Sequence, residues 1–419
     1  MRILLVYHFF YPDSVISARL FSDLAESFAS SGHKVTVYTC NQLIRSNRKL
    51  PLFEEWKNVK IKRFKRPSFS QGSNIGRVIN SGVLQLQWIL SYFAHRKDYD
   101  AIIVGTDPQF AWAMFPWIRI INRKVSLVHW VFDLYPDAII ANSSYWMKCL
   151  AYLTIPFAKI AYRCCDCIVD IGSEMRKRYQ KDSPNAIYKT LTPWALKETL
   201  EISPVDPEVR ENLFGKAKLG LLYSGTVGHA HDISPFIDLA RKCRKRGIDA
   251  AFCFAGYGNC YKKQTSVLTQ EDTNIRLVGF ASEEELEKRL ASADIHMVSL
   301  RANWNGIVVP SKFFGSLAVG RPVLFSGTES NSIADYCKKY NLGFVLTEKT
   351  EEQLQELISN REILKNMQKN AINSYYTFFS KEIVCEKWND LLTQMNATKH
   401  NVSKQISECA PPIRNVQEQ

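Results

Sequence analysis

The sequence predicts an α/β protein made of two parallel-sheet halves joined by a short connection. Near the start, Ile3 to Val6 is a continuous apolar run, and Leu20, Leu24, Ala25 and Phe28 fall on one helical face. Val35 to Tyr38 then resumes as strand after Gly32-His33. The same layout begins again near residue 218. Leu219 to Tyr223 reads as strand, a glycine-containing loop follows, then a helix from about Ser234 to Arg246, and Ala250 to Phe254 is strand after Gly247. One strand–helix–strand unit repeated in both parts of a 419-residue chain reads as two Rossmann-like halves.

Between the two units lie the apolar runs AIIVGTD, VSLVHWVFD and CIVDIGSEM. They end in Thr106-Asp107-Pro108, in Asp133 to Pro136 and at Ser173. Open parallel sheets bind ligands beyond the carboxyl ends of their strands, so these tips are expected to face one crevice. Pro193, Pro204 and Pro207 stand among charged residues without a long apolar period, which places the connection there. The expected division is 1–192 and 193–380, a closing helix over 381–395, and a loose polar tail over 396–419 with Pro411-Pro412.

Composition narrows the class. The 11 cysteines are odd in number and sit mostly in apolar runs, as small buried side chains of a reducing, cytoplasmic compartment rather than a disulfide framework. The opening MRILLVYHFF is expected to be a strand and not a secretory leader. A net charge of +13 favours anionic partners: a phosphorylated substrate, an anionic membrane face or nucleic acid. No recognisable module interleaves aromatic and basic residues, so nucleic acid is not expected. The run Val78 to Ala94 is apolar but interrupted by Asn80, Gln85 and Gln87, and short for a span. It reads as a membrane-surface helix or as a core helix. The basic stretch RFKRP at Arg63 to Pro67 tilts residues 60–97 towards contact with an anionic membrane surface.

Two stretches are more specific: YSGTVGHAHD at residues 223–232 and SADIHMVSLRANWNGIVVPSKFFGSLAVGRP at 292–322. With Tyr11-Pro12, Arg19, Leu24-Ala25, Gly32-His33 and Val35 to Thr39, the chain resembles the GT-B glycosyltransferases of family 4. It is most similar to the branch that builds O-antigen, capsule and colanic-acid-type polysaccharides. The resemblance runs from about Arg2 to Leu391, and Val309 to Pro322 is its most specific part. It implies a GT-B fold, with two Rossmann-like domains across a cleft and a last helix returning to the first. It also implies a nucleotide-diphosphate sugar on the C-terminal domain, an acceptor on the N-terminal domain, retained anomeric configuration, and neither metal nor cofactor.

Stabilising a departing diphosphate without metal calls for a cation, backbone N–H groups and helix N-termini. Lys312 is the main candidate. It opens a helix to Val319 after Val309, Pro310 and Ser311, although an exposed first-turn lysine would have the same sequence. Gly225, Thr226 and Gly228 follow a buried-type strand and suit close approach of backbone to phosphate, as does a plain turn. His229 and His231 are donor-binding candidates or loop caps, and Asp232 stands at a helix N-cap. Gly279 and Phe280, after the strand Ile275 to Val278, are candidate contacts for the base, or simply a strand-ending glycine beside a core ring. Asp133 is the candidate for orienting an acceptor hydroxyl or taking its proton, against a carboxylate that bonds the next turn. His129 lies four residues upstream and is not favoured.

The chain departs from the family twice. A glutamate pair spaced eight apart falls, by register with Gly320-Arg321-Pro322, on Ile307 and Gly315, and the second usually holds the donor ribose. The loop YPDSVISAR lacks the usual glycines, and Ser14 and Ser17 are expected to supply hydrogen bonds instead. AGYGNC lacks the third glycine of a dinucleotide site, and CCDC at Cys164 to Cys167 has no second pair at metal-ligand spacing. The reading that results is a cytoplasmic, membrane-associated transferase of a UDP-linked hexose or amino sugar, acting on a lipid-linked saccharide at the inner leaflet. Its rivals are a GT-B nucleotide-sugar epimerase and a catalytically silent GT-B binding protein.

Overall fold

The computed structural model describes residues 1–409 except 45, 47, 68, 70–73, 143 and 280, with backbone alone at 74, 75, 283, 284 and 400–409. The first half holds β1 (Arg2–Val6), α1 (Ile16–Ser30), β2 (Lys34–Cys40), β3 (Phe53–Trp56), β4 (Val59–Phe64), α2 (Asn74–Ala94) and β5 (Ala101–Gly105). It continues with α3 (Phe115–Ile121), β6 (Ser126–Val131), α4 (Asp137–Asn142), α5 (Tyr145–Tyr162), β7 (Cys167–Asp170), α6 (Ser173–Tyr179) and β8 (Ile187–Thr190). Its sheet runs β3-β4-β2-β1-β5-β6-β7-β8, parallel except for the edge strand β3. β5, β6 and β7 are buried along their whole length, which is why these runs are apolar throughout rather than alternating.

The second half holds α7 (Pro207–Phe214), β9 (Leu219–Thr226), α8 (Ser234–Lys245), β10 (Ala250–Tyr257), α9 (Asn259–Thr265), β11 (Ile275–Val278), α10 (Glu283–Ala291), β12 (Ile295–Ser299) and α11 (Lys312–Ala318). Then come β13 (Val323–Ser326), α12 (Ser332–Tyr340), β14 (Gly343–Val345), α13 (Thr350–Ser359), α14 (Arg361–Ser374) and α15 (Lys381–Cys409). Its sheet order is β11-β10-β9-β12-β13-β14, all parallel. β9 and β10 each run past their expected ends at Tyr223 and Phe254, so Gly225 and Thr226 close a strand rather than lie in a loop.

The connection is held by a buried cation. Arg321 is 1% exposed, and its guanidinium donates to the carbonyls of Ala291, Ala293, Val319, Gly320 and Ser203, tying the linker to the second half. The Gly320-Arg321-Pro322 string is therefore structural. Further on, the Tyr375 hydroxyl donates to Glu198 at 2.6 Å and accepts from the Ala195 amide at 2.8 Å, where the chain turns back towards the first half.

α15 then lies on α1. Lys381 pairs with Asp23 at 2.9 Å, and Trp388 is fully buried against Trp130 and Phe28, with ring centroids 5.1 and 6.5 Å away. Removing such a ring costs about 3–5 kcal/mol. The loose tail expected from 396 is corrected: the helix continues to Cys409, and residues 410–419 lie outside the described part. No described helix is long and apolar enough to cross a membrane.

Candidate functional site

Each sheet order reverses at its first strand, between β1 and β5 in one half and between β9 and β12 in the other. Ligand crevices open at such switch points, and the two face each other. Between them lies a cavity of about 430 Å³. Gly228, His229, Ala230 and His231 line it with Val308 to Lys312 on the second-half side, and Arg77, Gln109, Asp133 and Tyr135 on the other. Ala138, Ile139 and Asn142 of α4 complete the lining on the first-half side. The halves touch beside it. The Leu134 amide donates to the Ile307 carbonyl at 3.1 Å, and the buried Glu174 carboxylate accepts from Asn331 at 2.9 Å and Ser332 at 3.0 Å.

Lys312 reaches back across the strand end. Its Nζ donates to the Thr226 carbonyl at 3.0 Å and sits 5.3 Å from the centre of the Tyr223 ring. Burial without a paired carboxylate lowers this ammonium to about 8. Gly225 makes the approach possible: its φ is +111°, and a Cβ there would stand 3.2 Å from the Lys312 Cε. The expected row of unpaired first-turn amides is corrected in part, because Phe313 N–H and Phe314 N–H donate to the carbonyls of Pro310 and Ser311 at 3.2 Å. The side chain of Lys312 is the main positive element on this wall.

His231 is held neutral. Its Nδ1 accepts from the Gly228 amide at 3.2 Å, and burial together with the charges of Lys312 and Arg301 lowers it to about 3. An Nδ1 that accepts leaves the proton on Nε2, so the ring is a donor on the cavity wall. His229 also lines the cavity, with its Nδ1 3.7 Å from the Cys260 sulfur. Asp232 accepts from the Ser234 amide at 3.1 Å, just outside the start of α8.

On the opposite wall burial and the neighbouring Asp107 raise Asp133 to about 6, with no hydrogen bond to offset them. The turn-bonding role is thereby set aside, and the carboxylate lines the cavity. Behind it His8 bonds Asp107 at 2.8 Å. Burial disfavours its cation, but hydrogen bonds to Asp107 and Cys40 outweigh that and lift it to about 9. His8, buried, and the part-exposed Asp107 thus form an ion pair, while Tyr135 receives a hydrogen bond from Gln109 at 3.3 Å. His129 is a satisfied core histidine, bonded to the Val104 carbonyl at 2.9 Å and pushed down to about 4 by burial.

Eight of the residues singled out in the sequence meet in this cavity: Asp133, Gly228, His229, His231, Val309, Pro310, Ser311 and Lys312. Gly225 and Thr226 stand directly behind Lys312. Three are placed elsewhere. Ser14 is exposed ahead of α1, Ser17 faces the Tyr7 hydroxyl, and the Gly279 carbonyl is taken by Arg289 at 2.6 Å. Phe280 lies outside the described residues. Ile307 is buried in the core, whereas a Cβ at Gly315 would meet open space. Arg77, Gln109, Tyr135 and Trp304 were missed, although Tyr135 belongs to a strand tip noted in the sequence and Gln109 directly follows one. Among the described residues no group of three His, Cys, Asp or Glu is placed to hold a metal.

Nearly the whole chain superposes on known two-sheet proteins. Sucrose-phosphate synthase of Thermosynechococcus elongatus matches with a TM-score of 0.69 at 14% identity, over 95% of this chain and 100% of that one. The fold is GT-B. HepE of Anabaena, solved with UDP and glucose, matches at 0.63 and 12% identity over 94% of this chain and 100% of its own. In sequence, the probable glycosyltransferase WbjE of Pseudomonas aeruginosa is 26% identical over 280 residues, 63% of this chain and 68% of that protein. This agrees with the resemblance carried by the 223–232 and 292–322 stretches. No family model matches the chain.

Proposed function

We propose that the protein is a retaining glycosyltransferase of the family 4 type that moves a sugar from a UDP-linked donor to a lipid-linked saccharide at the inner face of a membrane, in cell-surface polysaccharide synthesis. One observation carries the reading: a partly buried ammonium, Lys312, and a raised carboxylate, Asp133, face one cavity from opposite halves. Support comes from the GT-B fold, from UDP in the HepE structure, and from the likeness to WbjE.

In this reading the C1–O bond to the diphosphate breaks and the acceptor oxygen bonds C1 on the face that the diphosphate leaves, so the anomeric configuration is kept. Lys312 and the loop around Gly228 stabilise the charge that develops on the leaving phosphate. His231 donates from Nε2 to a donor oxygen, and Asp133 orients the acceptor hydroxyl and takes its proton. No metal or cofactor takes part.

The test is thermal unfolding against UDP, GDP, dTDP, ADP and their sugar conjugates. A ligand at a hundred times its Kd stabilises by about 2.7 kcal/mol. A shift selective for UDP compounds and absent in Lys312→Ala is expected. No shift with any nucleotide would sink the proposal and favour a silent binding protein.

A further inference from the structure

α5 is built inside out. The residues it buries are Ala151, Ala158, Ala161 and Tyr162, while Trp146, Leu150, Leu153, Phe157 and Ile160 form an outward stripe at spacings of four and three. Trp146 is 77% exposed and Leu153 68%. An ordinary surface helix puts its large apolar residues on the core and polar ones outside. α2 is apolar on both faces: Leu84, Trp88 and Tyr92 enter the core, and Leu86, Leu90 and Phe93 point out. α3 packs against both helices and adds exposed Trp117 and Ile120, so the three helices form one apolar face. By contrast, between β9 and β14 the exposed large apolar residues among those described are Tyr257, Val267 and Leu277.

Charge says what covers this face. Across α2, α3 and α5 there is not one Asp or Glu. The basic residues in and around them include Arg96 and Lys97 after α2, Arg123 and Lys124 after α3, and Lys148, Lys159 and Arg163 on or beside α5. Asp98 is exposed beside Lys97, and the other nearby acids are already paired, Asp182 with Lys159 at 3.4 Å, and Asp166 with Arg119 at 2.9 Å and Lys399 at 3.0 Å. Two copies of the face would set like charges together, whereas an apolar face with a cationic rim matches an anionic bilayer. Of the 60–97 stretch expected to make such a contact, α2 and Arg96-Lys97 belong to this face, whereas Arg63 and Arg66 are buried, the first paired with Glu54 at 2.6 Å.

We infer that the protein seats on anionic membranes through the outward stripes of α5, α3 and α2. The seat continues the cavity: Ala138, Ile139 and Asn142 of α4 line the cavity, and the exposed Tyr145 and Trp146 begin α5 three residues on. A lipid-borne acceptor then presents its saccharide to Asp133 from the bilayer, so the inference rests on the lipid-linked acceptor reading and deepens it.

Flotation of the full chain with phosphatidylcholine vesicles, with and without phosphatidylglycerol, tests it. Binding is expected only with the anionic lipid, weakened by salt, and reduced roughly tenfold or more in Leu153→Glu/Phe157→Glu. Val267→Glu in the second half should bind as the parent does. Circular dichroism and the UDP thermal shift, read on the same samples, should be unchanged. Failure of the parent to float, or equal flotation of the double variant, overturns the seat. So does a dimer that the double variant dissolves while no vesicle is bound. A parent that takes UDP but no vesicle loses the seat alone, and one that floats but takes no nucleotide loses the transferase reading alone.

Discussion

The loop after β1 and the loop after β9 begin from the same strand–turn–helix plan and become opposite surfaces. After β1, Tyr7, His8, Phe9 and Phe10 are all buried, with Tyr7 stacked on Phe21 at 4.0 Å and His8 on Phe9 at 4.1 Å. Side chains fill the crevice there. After β9 the corresponding space is bordered by Gly225 and Gly228, and the group that enters it comes from another element, Lys312. One scaffold thus supplies a filled wall and an open one, and residue size within a few positions decides which half can bring backbone up to a ligand.

The comparison breaks most sharply at Lys312. Lys312→Ala should lower kcat/KM by about 10³ if the open wall carries the leaving-group charge. An effect near unity, measured under the same conditions, would mean that this lysine only props the strand end. Asp133→Asn probes the opposite wall and should cost roughly 10² in kcat. The parent's kcat/KM should be bell-shaped, rising as Asp133 ionises near pH 6 and falling as Lys312 deprotonates near pH 8, and the variant should lose the acid limb.

Stability gives the same residue a second readout. The fold raises this carboxyl, so the folded state binds its proton more tightly, and stability falls as pH climbs through about 6. Asp133→Asn should therefore melt higher than the parent at about pH 8 and no higher at about pH 4.

Gly225→Ala would place a methyl 3.2 Å from Lys312 at a φ of +111°. It should weaken nucleotide binding about tenfold and cost about 1 kcal/mol of stability, both readable by titration calorimetry and denaturant unfolding. Ser14→Ala, on the filled side, should change nucleotide affinity by less than about twofold, since surface changes away from a site are close to neutral. A larger loss would bring the first loop into the donor site after all.

The second half was the more legible one. An apolar strand, glycines and a lysine opening a helix are local signals, and they converge in the cavity as read. The first half resisted because its polar residues answer to partners far along the chain. Arg63 and Arg66 look like a surface patch, yet both are buried, Arg63 against Glu54. His8 itself reads as part of a strand, and its partner Asp107 lies 99 residues on. The outward stripe of α5 was missed for another reason. A helical period shows that apolar residues share a face, but not which face turns inward, and here the alanines do.

The position of Trp388 bears on the order in which the chain assembles during translation. The first half is synthesised first, yet the ring packed against Phe28 and Trp130 arrives with the last helix. Until the ribosome has delivered α15, the first sheet holds an uncovered aromatic seam. A nascent chain stopped before Lys381 is expected to depend on chaperones for the half that was made earliest.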